Sequence, residues 1–347
     1  MSIVASSPTS LSAADPVSAA LVRVRKRAGG LVLRTLFEGS ARVFRDFPLS
    51  RPETYGLEVI RDVPYCGTGL AAHTYDVWRP RRSAAEIAKA PLPLVVYMHG
   101  GAFRILSKDS HWIMALAFAR RGMCVVLPNY RLAPQHRYPA ALTDSALAVR
   151  HAVDNAERWG ADPSCVVLAG ESAGANIAVG LAVGKAWNRD EEHLRPIADI
   201  DIKAVVGACG VFQIGDGGRF RRENPSLPWL FNDRLEDLLD FLPLRDGKPW
   251  DDELASPLLL VERMAPVKPV PPLFLPVGGG DFFKSDHVRM EAALRSYGVD
   301  VEAPVYGNEP HAFQALVWRP EARRFWNDTA TFLRTRGVPV REPTPRL

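Results

Sequence analysis

An open, doubly wound α/β sheet is the fold class this sequence predicts, and three observations predict it. Short, nearly continuous apolar runs recur at residues 93–98, 124–127, 165–169, 204–208 and 273–277, with 301–306 as a last candidate. Hydrophobicity that does not alternate means burial on both faces, as in a parallel sheet. Helical patterns at 111–121, 139–159, 172–187, 285–297 and 320–334 separate these runs, and strand and helix in alternation build that architecture. Composition is the third observation. With 347 residues, 47% hydrophobic and 24% charged, the chain is globular rather than disordered and long enough to bury a core without a disulfide or metal staple.

Residues 1 to about 16 are rich in Ser, Ala and Pro and read as a frayed tail. Residues 17–47 carry apolar side chains at helical spacing (Leu21, Val24; then Leu33, Leu36, Phe37; then Val43, Phe44, Phe47), and Gly29-Gly30 is expected to break them into two helices. Such a stretch is expected to lay its apolar face on its own protein rather than on a membrane surface. Arg23, Arg25, Lys26, Arg27 and Arg34 exclude a membrane span there. Residues 57–63 and 72–78 alternate and predict antiparallel strands. One segment breaks the rhythm. About sixty residues separate the strand ending near Ala208 from that beginning near Leu273, too long for a plain connection. This segment holds Gly215-Asp-Gly-Gly218, Trp229, Phe231 and a helix-like 233–241. We read it as an insertion that forms a cap with the N-terminal helices. The expected division is tail and cap helices over 1–50, core over 51–209, cap insertion over 210–265, and core again over 266–347.

Net charge is +4, too small an excess for a nucleic-acid partner. The four cysteines, Cys66, Cys124, Cys165 and Cys209, form no Cys-x-x-Cys pair, so neither a zinc knuckle nor a disulfide framework is indicated. Free thiols and the lack of a positive region before an apolar stretch predict a soluble, cytoplasmic protein. No residue cluster has metal-ligand spacing and no dinucleotide fingerprint occurs, so neither a metal nor a cofactor is expected.

The sharpest motif is Gly170-Glu171-Ser172-Ala173-Gly174, directly after one apolar run and directly before a helical pattern. Gly-x-Ser-x-Gly belongs in that context because its serine sits on a strained strand-to-helix turn where bulky neighbours clash. Upstream, His99-Gly100-Gly101-Ala102-Phe103 follows the run 93–98. Its glycines let the backbone approach a ligand, so amide N–H groups can face a developing oxyanion together with the N–H of Ala173. A serine hydroxyl needs a base, and that base needs an orienting carboxylate. In this chain order the histidine comes last. His311 lies in a loop beyond the last strand candidate, whereas its rival His287 lies inside a helical pattern. Asp281 follows Val277-Gly-Gly-Gly280 at a strand end, and its rival Asp286 stands near a helix start, where a carboxylate also serves the helix dipole.

Together with Asn129-Tyr-Arg-Leu-Ala-Pro-Gln-His-Arg-Tyr-Pro-Ala-Ala-Leu-Thr-Asp144, these motifs resemble the hormone-sensitive-lipase branch of the α/β hydrolases, bacterial esterases with a His-Gly-Gly-Gly oxyanion motif. The resemblance covers about residues 70–335. It implies the α/β-hydrolase fold with a two-part cap, and a catalytic triad of Ser172, Asp281 and His311. Oxyanion donors would come from Gly100, Gly101 or Ala102, and from Ala173. It also implies cofactor-independent hydrolysis of carboxylic esters with short or medium acyl chains. Amide, carbamate and lactone cleavage share the same acyl-enzyme step, and a non-catalytic small-molecule receptor is the reading from another class. Phe103, Trp229, Phe231, Phe282 and Phe283 are the candidates for an apolar substrate pocket. Four departures stand out: Ala102 for the third glycine, Glu171 with Ala175 around the elbow, Phe282-Phe283 after the acid, and Ala312 after the histidine. His99, Tyr130, Arg131 and Asp144 are expected to brace the oxyanion loop, and His111, His136 and His151 to be helix or loop residues. A small-molecule ester is the expected partner, with a homodimer through the last strand and helix as a further expectation.

Overall fold

A computed structural model describes residues 16–345 apart from 46 and 226; the expected tail, residues 1–15, lies outside the described residues. The strands are β1 (Leu57–Pro64), β2 (Thr74–Pro80), β3 (Leu92–Met98), β4 (Cys124–Pro128), β5 (Ala161–Glu171), β6 (Ile202–Ala208), β7 (Leu244–Arg245), β8 (Lys248–Pro249), β9 (Leu273–Phe274), β10 (Val277–Gly278), β11 (Val301–Glu302) and β12 (Val305–Tyr306). The helices are α1 (Pro16–Arg45), α2 (Ala84–Lys89), α3 (Trp112–Ala119), α4 (Ala140–Asp154), α5 (Ala173–Ala186), α6 (Arg219–Glu223), α7 (Trp229–Glu236), α8 (Pro257–Arg263), α9 (Lys284–Ser296) and α10 (Pro320–Thr335).

Eight strands make one sheet in the order β1-β2-β4-β3-β5-β6-β9-β11. The pairs β1–β2 and β2–β4 are antiparallel, and the remaining pairs of that sheet are parallel. Strands β3 and β4 are buried at every position, as their unbroken apolar runs require. Successive side chains of β3 serve opposite layers. Leu94, Val96 and Met98 join the core formed with α4, α5 and α9, while Val95 and Tyr97 join the core formed with α3 and α10. The last two strand candidates each split in two, because Pro276 and Pro304 interrupt them and a proline has no N–H for a ladder bond. Their outer halves, β10 and β12, pair with each other in parallel.

Two expectations for the N-terminus are corrected. Gly29 and Gly30 do not break the helix; α1 runs unbroken for 30 residues. A Cβ on Gly30 would stand 2.6 Å from Nη1 of Arg234, so glycine lets α7 approach, and Arg234 donates to the Lys26 carbonyl at 2.7 Å. That contact offsets the roughly 1 kcal/mol a helical glycine costs relative to alanine. The second correction concerns the apolar residues. Side chains at 21, 33, 36 and 37 lie outside the described residues, but Val24, Val43, Phe44 and Phe47 face solvent rather than the protein. Polar contacts hold this helix in place: Arg25 bonds Asp233 at 2.7 and 2.9 Å, and Trp112 Nε1 donates to the Ala41 carbonyl at 3.1 Å.

The segment between β6 and β9 holds α6, α7, the β7–β8 hairpin and α8. Because β3, β5 and β6 are neighbours in the sheet, the loop after β3 and the turn after β5 lie side by side at the carboxyl ends of parallel strands, where open α/β sheets bind ligands.

Candidate active site

Ser172 sits between the last residue of β5 and the first of α5, at φ 53° and ψ −119°. A non-glycine residue there is strained, at a cost on the order of 1–3 kcal/mol. The flanking glycines are required by close backbone approach. A Cβ on Gly174 would lie 2.1 Å from the Met98 carbonyl oxygen, and one on Gly170 would lie 2.4 Å from the carbonyl oxygen of Gly174. Backbone cannot yield as a side-chain tip can. Gly174→Ala is therefore expected to destabilise the fold by about 3 kcal/mol, read as a lower urea midpoint at unchanged slope.

The loop after β12 brings His311 back over this turn. His311 Nε2 lies 3.1 Å from Ser172 Oγ, and His311 Nδ1 lies 2.9 Å from Asp281 Oδ2. A carboxylate only accepts, so Nδ1 carries the proton and Nε2 is left to accept from the serine hydroxyl. Asp281 follows β10, and its Oδ1 accepts the Phe283 N–H at 2.9 Å. Burial alone would push the Asp281 carboxyl up, but the charge and hydrogen bond of His311, with that backbone N–H, hold it below the usual carboxylate range. Burial likewise would push His311 down, yet the charge and hydrogen bond of Asp281, with the charge of Glu171, leave it above its ordinary value.

Both rivals have other partners. Asp286 accepts from the N–H groups of Phe212 and Gln213 at 2.8 and 3.0 Å and pairs with Arg219 at 2.5 Å. His287 bonds the Leu275 carbonyl through Nδ1 at 2.8 Å and accepts the Gly210 N–H at Nε2, 2.7 Å away. Among the described residues, Cys209, Asp281 and His311 group their ligand-type atoms within 4.8 Å. Burial pushes the Cys209 thiol well above its ordinary value, and His311 Nδ1 is taken by Asp281, so this group is a hydrogen-bonded pair beside a protonated thiol.

The loop after β3 faces the same serine. A Cβ on Gly101, at φ 122°, would lie 2.0 Å from the Ile105 carbonyl oxygen, so glycine is required there. Ala102 takes φ 52° despite its side chain. The Gly100 N–H lies 3.3 Å from His111 Nε2, the nitrogen that also meets a Glu171 carboxylate oxygen at 2.6 Å. Among the described residues the N–H groups of Gly101 and Ala102 have no hydrogen-bond acceptor. Ala173, first residue of α5, has no carbonyl one turn back to bond. His99 braces the loop: its Nδ1 donates to the Gly100 carbonyl at 2.7 Å, and Tyr130 stacks on its ring at 4.3 Å and donates to its carbonyl at 2.7 Å. Burial, with His111 beside it, pushes His99 down to about 3, so it stays neutral. Arg131 clamps Asp144 bidentately, its Nη2 donating at 2.7 Å, and the same carboxylate lies 3.3 Å from His73.

A cavity of about 240 Å³ opens over Ser172 and His311, with an apolar wall of Ile105, Leu106, Ile113, Met114, Phe231, Leu235, Leu238, Phe282 and Phe283. Three of the five aromatic candidates, Phe231, Phe282 and Phe283, line it. Two do not. Phe103 is fully buried and stacks on Phe241 at 3.7 Å, a core residue beneath the loop. Trp229 faces solvent with Arg25 over its ring. No described residue of α1 lines the cavity.

Sequence reasoning missed one buried pair. His111 Nε2 stands 2.6 Å from Glu171 Oε1, and Gln314 donates to the other oxygen at 2.9 Å. Burial would raise the Glu171 carboxyl, but His111 and hydrogen bonds from His111, Tyr97 and Gln314 hold it below the usual range. The two residues are sixty positions apart in sequence, so no local pattern joins them; the only clue was an acid at the second place of the elbow.

Residues 95–315 match the family described as alpha/beta hydrolase fold. The chain belongs to the α/β-hydrolase family, in its hormone-sensitive-lipase-like branch. This hydrolase is 30% identical over 265 residues to the carboxylesterase NlhH of Mycobacterium tuberculosis, covering 72% of each chain. It is 34% identical over 182 residues to an ethyl acetate hydrolase of Pseudomonas putida, covering 49% of this chain and 55% of that one. Among solved structures, a bacterial heroin esterase superposes with a TM-score of 0.70 at 19% identity, over 87% of this chain and 90% of that one. The hyperthermophilic esterase of Pyrobaculum calidifontis superposes at 0.67 with 23% identity, over 93% and 99%. These two superpositions show the fold of this hydrolase.

Proposed function

We propose that the chain hydrolyses carboxylic esters of short to medium acyl length through an acyl-enzyme on Ser172. The observation that carries this reading is the run of hydrogen bonds from Asp281 Oδ2 through His311 to Ser172 Oγ, 2.9 and 3.1 Å long, opening on an apolar cavity. Relatives named carboxylesterase and ethyl acetate hydrolase support the same chemistry.

As Ser172 Oγ attacks the acyl carbonyl, His311 Nε2 takes the hydroxyl proton and Asp281 stabilises the imidazolium. The carbonyl oxygen becomes an oxyanion that accepts from the N–H groups of Gly101, Ala102 and Ala173. His311 returns its proton to the departing alcohol oxygen. A water then gives its proton to His311 as it attacks the acyl carbon; Ser172 leaves with that proton, and the acid is released.

We further propose that the cap helices within residues 1–50, described from residue 16 onward, act with residues 210–265 as a cap over a core of 51–209 and 266–347. In support, α7 supplies Phe231, Leu235 and Leu238 to the cavity wall, and α1 is tied to α7 by the Arg25–Asp233 ion pair at 2.7 Å. At about 240 Å³ the cavity falls below the roughly 300–1,000 Å³ usual for drug-sized ligands, which favours short acyl groups. With nitrophenyl esters of increasing chain length, kcat/KM is expected to peak at acetate to hexanoate and to fall about tenfold or more by laurate, since overfilling an apolar site costs on the order of 1–3 kcal/mol. A preference for long insoluble triglycerides would overturn the chain-length assignment, and no ester turnover by pure protein would overturn the reading itself.

A further inference from the structure

Helix α1 leaves an apolar face uncovered. Val24 is 64%, Leu31 65% and Val32 52% exposed, and Ala28 and Thr35 are exposed with them. At about 100° per residue these five positions fall within roughly one quarter of the helix circumference. Contiguous exposed apolar surface on a folded domain marks a binding face. The aromatic pair Phe44 and Phe47, rings 5.9 Å apart and both exposed, is a separate apolar spot at the end of the helix.

Charge says what covers it. The 30 residues of α1 hold seven Lys or Arg against one Glu, a net of +6. The whole chain carries +4, so everything outside α1 nets −2. Arg25 and Lys26 are engaged with Asp233, Glu236 and Asp237. An apolar stripe on a helix rich in Lys and Arg and nearly free of acids suits the interface of an anionic bilayer. A second copy of α1 laid on the first would bring one cationic helix against another.

Position ties this face to the cavity. Arg25 lies 5.7 Å from the centroid of the Trp229 ring. Trp229 and Phe231 are exposed at the start of α7, and Phe231 also lines the cavity. Among the described residues no helix is long and apolar enough to cross a membrane, so the contact is peripheral.

We propose that α1 docks the protein on an anionic phospholipid bilayer, apolar face down, with the cavity mouth held near the lipid surface. This does not depend on the ester reading. The full chain, sedimented with vesicles of phosphatidylcholine and phosphatidylglycerol, is expected to pellet at least about tenfold more than with phosphatidylcholine alone, and less as salt rises. The double variant Leu31→Glu, Val32→Glu is expected to lose that excess about tenfold while its thermal unfolding midpoint stays unchanged, which shows that it remains folded. Equal pelleting with both vesicle types, or a folded variant that binds as well as the parent, overturns the proposal. So does light scattering that finds a dimer which the variant converts to monomer, with no vesicle binding by either, since a second copy would then be the occupant.

Discussion

Ser172→Ala is expected to lower kcat for a soluble nitrophenyl ester by about five to six orders of magnitude, the scale found when a triad nucleophile is removed. The loss should be chemical and not structural. Alanine keeps the Cβ that the turn at φ 53° already accommodates, so the strain on the backbone is unchanged and the thermal midpoint should move little. The hydroxyl it removes has one described partner, His311 Nε2 at 3.1 Å. A fluorophosphonate should modify the parent on the peptide containing Ser172 and leave the variant unlabelled there. Activity within about tenfold of the parent, or labelling at another serine, would mean that the hydrogen-bonded run ending at Ser172 is not the reacting one.

What made this site readable in advance was local. Each reacting group stands at the end of an apolar run, and such runs are visible because burial on both faces removes alternation. Gly170 and Gly174 flank Ser172 because the backbone of Met98 and of the turn itself leaves no room for a Cβ, so the motif is a direct trace of packing. Features set by tertiary context leave no such local trace. Phe103 looks like a pocket residue from its place beside the loop, yet its side chain turns under the loop onto Phe241. Asp286 and Asp281 are both acids near one strand end; Asp281 meets His311 Nδ1, while Arg219 and two backbone N–H groups occupy Asp286. The Glu171–His111 pair is a contact between two turns, formed by adjacent strands that are distant in sequence. A glycine pair that signals a break in isolation instead lets Arg234 reach the backbone of α1. Periodicity reports which face is buried, not what lies across the gap.

Asp281→Asn is expected to lower the plateau of kcat by about four orders of magnitude and to move its acidic limb to lower pH. The two effects have different causes. In the parent, Asp281 accepts from His311 Nδ1 at 2.9 Å and so reserves Nε2 as the acceptor for Ser172. An asparagine amide can donate to Nδ1 instead, which puts the imidazole proton on Nε2 and faces the serine with a donor. That accounts for the plateau. The limb follows from charge. His311 is held above its ordinary value of about 6.5 because Asp281, with Glu171, outweighs burial. A base must be neutral to take a proton, so parent activity is lost as pH falls through that raised value, which places the limb above pH 6.5. Removing the Asp281 charge leaves burial to push the imidazolium down, and the limb moves the same way. Asp286→Asn, which breaks a buried ion pair with Arg219 rather than a bond to His311, should lower the unfolding midpoint and leave the limb in place. A pH–rate profile of both variants therefore separates the orienting acid from the structural one, and a limb that moves with Asp286 rather than Asp281 would reverse the assignment.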